Sequence, residues 1–201
     1  MSRVICSQCQ RPQKVCICDF IKPIVNGIEI GILQHPSEVK QIKGTAIIAI
    51  HALSHCQYWV GESVDALPGL VSWLQDDKPV LLLYPETENQ TTVVANLAID
   101  EIKSQYLNHF KVLILDGTWR KTFKMMQINP SLNALPRIAL TPKSASGYQI
   151  RKQKDEQSLS TIEAIYELLS QLENSTDKYQ PLLTAFEKMQ QQQLAFRQNA
   201  D

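Results

Sequence analysis

No stretch of this chain approaches the roughly 18 consecutive apolar residues of a membrane-spanning helix. Its opening, Met1-Ser2-Arg3-Val4-Ile5-Cys6, holds no apolar signal core. A cytoplasmic protein with no membrane partner is therefore expected. Neither a Gly-x-Gly-x-x-Gly nor a P-loop pattern occurs, so a nucleotide-like ligand would be held without either of those turns. No internal repeat is present, which excludes solenoids and propellers. Net charge is also missing, since 20 basic residues cancel 20 acidic ones. What the chain does have is 201 residues with 44% apolar content, enough for one substantial domain and a small appendage.

The charges cancel in total but are unevenly spread. Residues 111–154 hold nine basic groups against a single acid, Asp116, a local net charge of +8. A localised basic stretch suits a phosphate backbone. The alternative is a set of solvated loop charges.

Four of the five cysteines, Cys6, Cys9, Cys16 and Cys18, fall in a C-x2-C-x6-C-x-C pattern. In a reducing compartment a disulfide framework is disfavoured, and four thiolates can close a tetrahedral zinc site. A redox dithiol or an iron–sulfur cluster are the alternatives. A closed four-thiolate site leaves no open coordination position, so the metal would shape the fold rather than catalyse. Cys56 reads as a buried lone thiol.

Periodicity gives an alternation of strands and helices. Strands are expected at 27–33, 57–60, 79–84, 111–115 and 137–140, and helices at 38–54, 67–75, 91–103, 119–127, 158–173 and 181–197, with 190–193 frayed or exposed. The continuous apolar runs at 79–84 and 111–115 are typical of parallel strands buried on both faces. The expected fold class is α/β, a mainly parallel sheet with flanking helices. The expected division is 1–24 as a zinc-binding element and 25–201 as a catalytic domain with C-terminal helices.

Asp116-Gly117-Thr118-Trp119 follows the apolar run at 111–115. Carboxyl ends of strands are where open α/β sheets bind ligands. Asp116 is thus a carboxylate delivered with a glycine, a hydroxyl and an indole to such a place, set beside Arg120, Lys121 and Lys124. The plain structural reading makes Asp116 or Thr118 a helix N-cap and Trp119 core packing. Further on, Ser160 and Glu163 can form a capping box. The same helix start is also a good anion site.

Taken together, Cys6-x2-Cys9, Arg11-Pro12, Cys16-x-Cys18, Leu83-Tyr84-Pro85, Asp116-Gly117-Thr118-Trp119, Ser146-x-Tyr148-x-x-Arg151 and Leu159-Ser160-Thr161-x-Glu163-Ala164 resemble the DTW-domain family of tRNA-uridine aminocarboxypropyltransferases. The resemblance implies a SPOUT-like knotted fold that binds S-adenosylmethionine (SAM). It implies transfer of the 3-amino-3-carboxypropyl group to nitrogen 3 of a tRNA uridine. It further implies Asp116 as the catalytic group. Leu83, Tyr84, Pro85, Gly117, Thr118, Trp119, Leu140, Ser146, Tyr148, Arg151, Ser160, Thr161 and Glu163 would line the SAM site. Arg120, Lys121, Lys124 and Lys152 are expected to meet tRNA phosphates. A SAM-dependent RNA methyltransferase and a non-catalytic zinc-stabilised RNA-binding module are the competing functions. Oligomeric state is open, with a monomer as the default.

Overall fold

The computed structural model describes residues 4–85, 95–140 and 159–198. Its strands are β1 (Glu29–Gln34), β2 (Cys56–Val60), β3 (Val80–Leu83), β4 (Asn96–Ala98), β5 (Lys111–Asp116) and β6 (Arg137–Ala139). Its α-helices are α1 (Ala46–Ala52), α2 (Pro68–Leu74), α3 (Ile99–Tyr106), α4 (Trp119–Ile128), α5 (Pro130–Asn133), α6 (Thr161–Leu172) and α7 (Thr176–Gln198). The chain divides into two compact units. One is Asn26–Gln41 with His55–Thr141, and the other is Met1–Val25, Ile42–Ser54 and Pro142–Asp201.

The first unit carries all six strands in one parallel sheet, ordered β2-β1-β5-β3-β6-β4. The α/β expectation is met. Every residue of β5 is buried, as are five of the six in β1. Burial without alternation is what a parallel strand covered on both faces requires. Leu33, Leu70, Trp73, Leu82, Leu113, Leu115, Met125 and Leu132 belong to the core. Trp73 of α2 lies so close over β1 that a Cβ on Gly31 would stand 2.6 Å from its Cη2. Glycine at that strand position is a packing requirement. The same indole donates Nε1–H to Glu29, and the ammonium of Lys111 sits 4.4 Å from its ring centroid. Lys111 is fully buried, paired with Asp76 and bonded to the Trp73 carbonyl.

The second unit is helical. α6 buries Ile162, Ile165, Leu168, Leu169 and Leu172, while α7 buries Tyr179, Leu182, Phe186 and Met189. The expected capping box is present at the start of α6. The Glu163 N–H donates to Ser160 Oγ at 3.5 Å, and the Ser160 N–H donates to Glu163 Oε2 at 2.7 Å. The Ile162 N–H donates to Thr45 Oγ1 at 3.3 Å.

Three expected elements differ. The helix expected over 38–54 is only α1, preceded by a 3-10 turn at Pro36–Glu38. Gly44 and the Pro36 turn break the earlier part, and the Glu38 side chain is drawn to Lys121 instead. Within the expected helix 91–103, residues 96–98 form edge strand β4 before α3 begins. A three-residue strand carries no readable period, and its pairing with β6 defines it. Finally, α7 starts at Thr176, so Pro181 lies inside it. The expected frayed tract is not exposed as a whole either, since Gln190 and Gln193 are buried. The Gln193 Nε2 donates to the Ile42 carbonyl at 2.8 Å, and the Gln192 Nε2 to that of Cys16 at 3.1 Å. Polar side chains are placed inside here because they satisfy carbonyls that no strand or helix uses.

Gly31→Ala should lower unfolding free energy by about 1–3 kcal/mol, the usual cost of overpacking. Urea denaturation of the variant beside the parent measures it. An unchanged midpoint would mean that Trp73 moves aside freely.

Candidate functional site

β5 delivers Asp116 as its last residue rather than just past its end, and the side chain is only 6% exposed. On the neighbouring strand, in register with it, Gln34 ends β1. The Gln34 Nε2 donates to Asp116 Oδ2 at 2.8 Å, and the His35 N–H donates to the Asp116 carbonyl at 2.9 Å. The chain then turns through Gly117 into α4. A Cβ at Gly117 would stand 3.3 Å from both Lys121 Cβ and Thr122 Cγ2, and 3.6 Å from His35 Cβ. This turn therefore has little room for a larger residue.

Thr118 occupies the N-cap position with extended backbone, and its carbonyl accepts from the N–H groups of Lys121 and Thr122. Its side chain makes no capping bond. Trp119 is 53% exposed, which removes the core-packing reading of that indole. It meets Tyr84 edge-on, with ring centroids 6.1 Å apart. Tyr84 is buried, which pushes its phenol pKa up. The Arg137 guanidinium lies 5.4 Å from the Tyr84 ring centroid and donates to the Pro85 carbonyl at 3.2 Å.

Thus the ends of β3, β5 and β6 supply Leu83, Tyr84, Pro85, Asp116, Gly117, Thr118, Trp119 and Leu140 from the sheet unit. Ser160, Thr161 and Glu163 belong to the helical unit. Ser146, Tyr148, Arg151 and Lys152 lie outside the described residues.

Among its described residues, the basic stretch is less basic at its surface than its sequence count. Lys111 and Arg137 are buried. On α4, Lys121 pairs with Glu38 at 2.6 Å and Lys124 with Glu62 at 2.5 Å, while Arg120 is exposed. Glu62 also accepts from His35 Nε2 at 2.7 Å, and its carboxyl is held below the usual range chiefly by Lys124. His35 Nδ1 accepts from the Ser37 N–H at 3.2 Å, which assigns the ring proton to Nε2. Glu38 and Glu62 come from distant sequence, so a segment count could not register them. Gln34 and the His35-Pro36-x-Glu38 turn were also missed. The available signal was a polar residue closing the apolar run of β1, as Asp116 closes that of β5.

A second candidate site lies in the helical unit. The Cys6–Cys9 turn is closed by the Cys6 N–H donating to the Arg11 carbonyl at 2.8 Å and the Gln10 N–H to that of Cys6 at 3.0 Å. Gln10 takes a left-handed φ of 55° to make it. The Cys9 and Gln8 amides point at the Cys6 sulfur and hold its thiol down at about 6. Burial pushes Cys18 the other way. All four sulfurs lie within 4.8 Å of one another, with Cys6–Cys18 at 3.7 Å and Cys9–Cys16 at 3.8 Å. A tetrahedral zinc with bonds of about 2.3 Å would separate its sulfurs by about 3.8 Å. These residues therefore fit a closed four-thiolate metal. Cys56 is half-buried on β2, and burial of its thiol pushes it up to about 12, so it is inert rather than reactive.

Comparison with known families finds the DTW domain over residues 3–194. This chain belongs to the DTW family. The Asp116-Gly117-Thr118-Trp119 segment lies inside the matched range. The DTW relatives include proteins named tRNA-uridine aminocarboxypropyltransferase 2. The macaque (Macaca fascicularis) protein is 30% identical over 89% of this chain and 59% of its own length. That of Drosophila melanogaster is 28% identical over 89% and 70%, and the mouse protein 29% over 89% and 59%. The chain thus spans about three fifths of the length of the mammalian relatives. No solved structure matches it.

Elemental analysis should find about one zinc per chain, with Cys9→Ser lowering that content and the thermal midpoint together. A metal-free chain of unchanged stability would remove the metal centre.

Proposed function

We propose that this protein transfers the 3-amino-3-carboxypropyl group of SAM to nitrogen 3 of a uridine in tRNA. Membership of the DTW family and the names of the relatives support the reaction class. The observation that carries the assignment of residues is a carboxylate fixed at the end of a central parallel strand, next to a half-exposed indole.

The sulfonium of SAM is an activated electrophile, so the reaction needs neither a metal nor a covalent nucleophile. Uracil N3 attacks the γ-carbon, the bond from that carbon to sulfur breaks, and methylthioadenosine leaves with the electron pair. The N3 proton passes to the Asp116 carboxylate, which acts as general base. The indole face of Trp119 favours a cation and would lie against the sulfonium. Leu83, Tyr84, Pro85 and Leu140 would form the apolar floor of the cofactor site. Choosing the γ-carbon over the methyl is a matter of aim, since both are bonded to the same sulfur.

Arg120 would meet tRNA phosphates from the exposed face of α4. Lys121 and Lys124 would contribute while retaining their carboxylate partners. Zinc held by Cys6, Cys9, Cys16 and Cys18 would serve structure alone. No helix among the described residues is long and apolar enough to cross a membrane, and a cytoplasmic place of action fits the tRNA substrate.

Incubation with SAM and unmodified tRNA, followed by nucleoside mass analysis, should reveal aminocarboxypropyluridine. A methylated nucleoside or unmodified tRNA would overturn the proposal. Asp116→Asn should lower the transfer rate by about 10²-fold or more, the usual scale of general-base loss, with SAM affinity nearly unchanged. Arg120→Ala should weaken tRNA binding and reduce its salt slope by about 1. A salt slope equal to the parent's would take Arg120 off the RNA surface.

A further inference from the structure

Asp116 does not stand alone at the end of its strand. Gln34 is the terminal residue of β1 and Asp116 that of β5, and the parallel register sets them directly side by side. Both are buried, at 8% and 6% exposure. The Gln34 backbone is pinned on its other side, where its carbonyl accepts from the Gly61 N–H at 3.0 Å. The Gln34 side chain commits its amide N–H to Asp116 Oδ2, at 2.8 Å. A polar residue closing an otherwise apolar buried strand is costly unless its amide is used. Here it is used on the carboxylate.

We infer that Gln34 is a positioning residue for the transfer reaction, fixing the plane of the Asp116 carboxylate through its amide N–H. The inference rests on the reading of Asp116 as the base. The chemistry of the donor suits that task. A carboxamide carries no charge at any working pH, so it stops rotation about the Asp116 Cβ–Cγ bond without neutralising the carboxylate. A lysine at this register would bind the base as an ion pair and weaken its hold on a proton. A carboxyl group there would share a proton with it. An amide orients the base at the smallest loss of basicity, and orientation is what proton transfer at hydrogen-bond distance demands.

The test compares Gln34→Leu, Gln34→Glu, Asp116→Asn and the double variant Gln34→Leu/Asp116→Asn, each checked for a parent-like thermal midpoint. Gln34→Leu removes the donor at nearly constant volume. It should lower kcat about 10-fold, with the KM values for SAM and tRNA within about 2-fold of the parent's. A hydrogen bond to the ionised form favours that form, so its loss moves the acid limb of the kcat–pH profile upward. Gln34→Glu preserves shape and should move the limb further in the same direction. His35, Glu38, Glu62, Tyr84, Lys121 and Arg137 occupy the elements packed here and remain in every variant. A limb displaced in Gln34→Leu, which adds no titratable group, therefore reports on Asp116.

In the Asp116→Asn background, Gln34→Leu should add no further loss, because the two residues act as one unit. Parent-like kcat and an unmoved acid limb in both single Gln34 variants, with Asp116→Asn inactive, would overturn this inference alone. Full activity of Asp116→Asn would instead overturn the assignment of the base. If Gln34→Leu fails to fold, Gln34→Met, which also lacks the donor and adds no titratable group, takes its place and its limb decides.

Discussion

The pairing of β1 with β5 sets the chemistry at both ends of the sheet's centre. Its register runs from Glu29 opposite Lys111 to Gln34 opposite Asp116. Between those ends both strands are almost wholly apolar and buried. A slip of one residue would turn every side chain of one strand to the wrong face, and it would also separate both polar pairs. At the starting end, Lys111 is a buried cation accommodated by Asp76, the Trp73 carbonyl and the Trp73 ring. Such a group adds little stability in itself, but leaving it unpaired is costly. At the finishing end the same register delivers a carboxylate and an amide to each other. Specificity of strand alignment and geometry of the candidate site are thus the outcome of one ladder.

Around that ladder, α4 is fastened to the loops that follow β1 and β2. Lys121 reaches Glu38, and Lys124 shares Glu62 with His35. Partly exposed ion pairs of this kind each contribute about 0–1 kcal/mol. Their larger effect is directional. They tie down the first two turns of the helix whose start carries Thr118 and Trp119. Gly117 makes this close approach feasible, since a side chain there would press on both α4 and His35.

Much of this was readable from the residues in order. The runs at 79–84 and 111–115 announced buried parallel strands, and spacing alone grouped Cys6, Cys9, Cys16 and Cys18, whose sulfurs do converge. Capping at Ser160 and Glu163 was equally local. What was not readable depended on contacts between distant segments. β4 exists through β6. Glu38 looked like a helical residue until Lys121 claimed it. The glutamines near the end of α7 looked solvent-facing because nothing nearby in sequence needs their amides. Gln34 had the same signature as Asp116, a polar residue closing an apolar strand, but only the register shows that the two signals meet.

The partners of the cysteine turn lie at the far end of the chain. The Arg11 guanidinium donates to the Met189 sulfur at 3.2 Å, and Gln192 donates to the Cys16 carbonyl, a separation of 176 residues in sequence. On a ribosome the first of these groups emerges long before the second. At about 5–20 residues per second, the cysteine segment waits roughly 10–35 s for the helix that completes its surroundings. Throughout that interval its four thiols are held by local turns alone. With zinc held as proposed above, early metal capture by the nascent chain would shield them from oxidation, and metal supply during synthesis would then set how much intact protein forms.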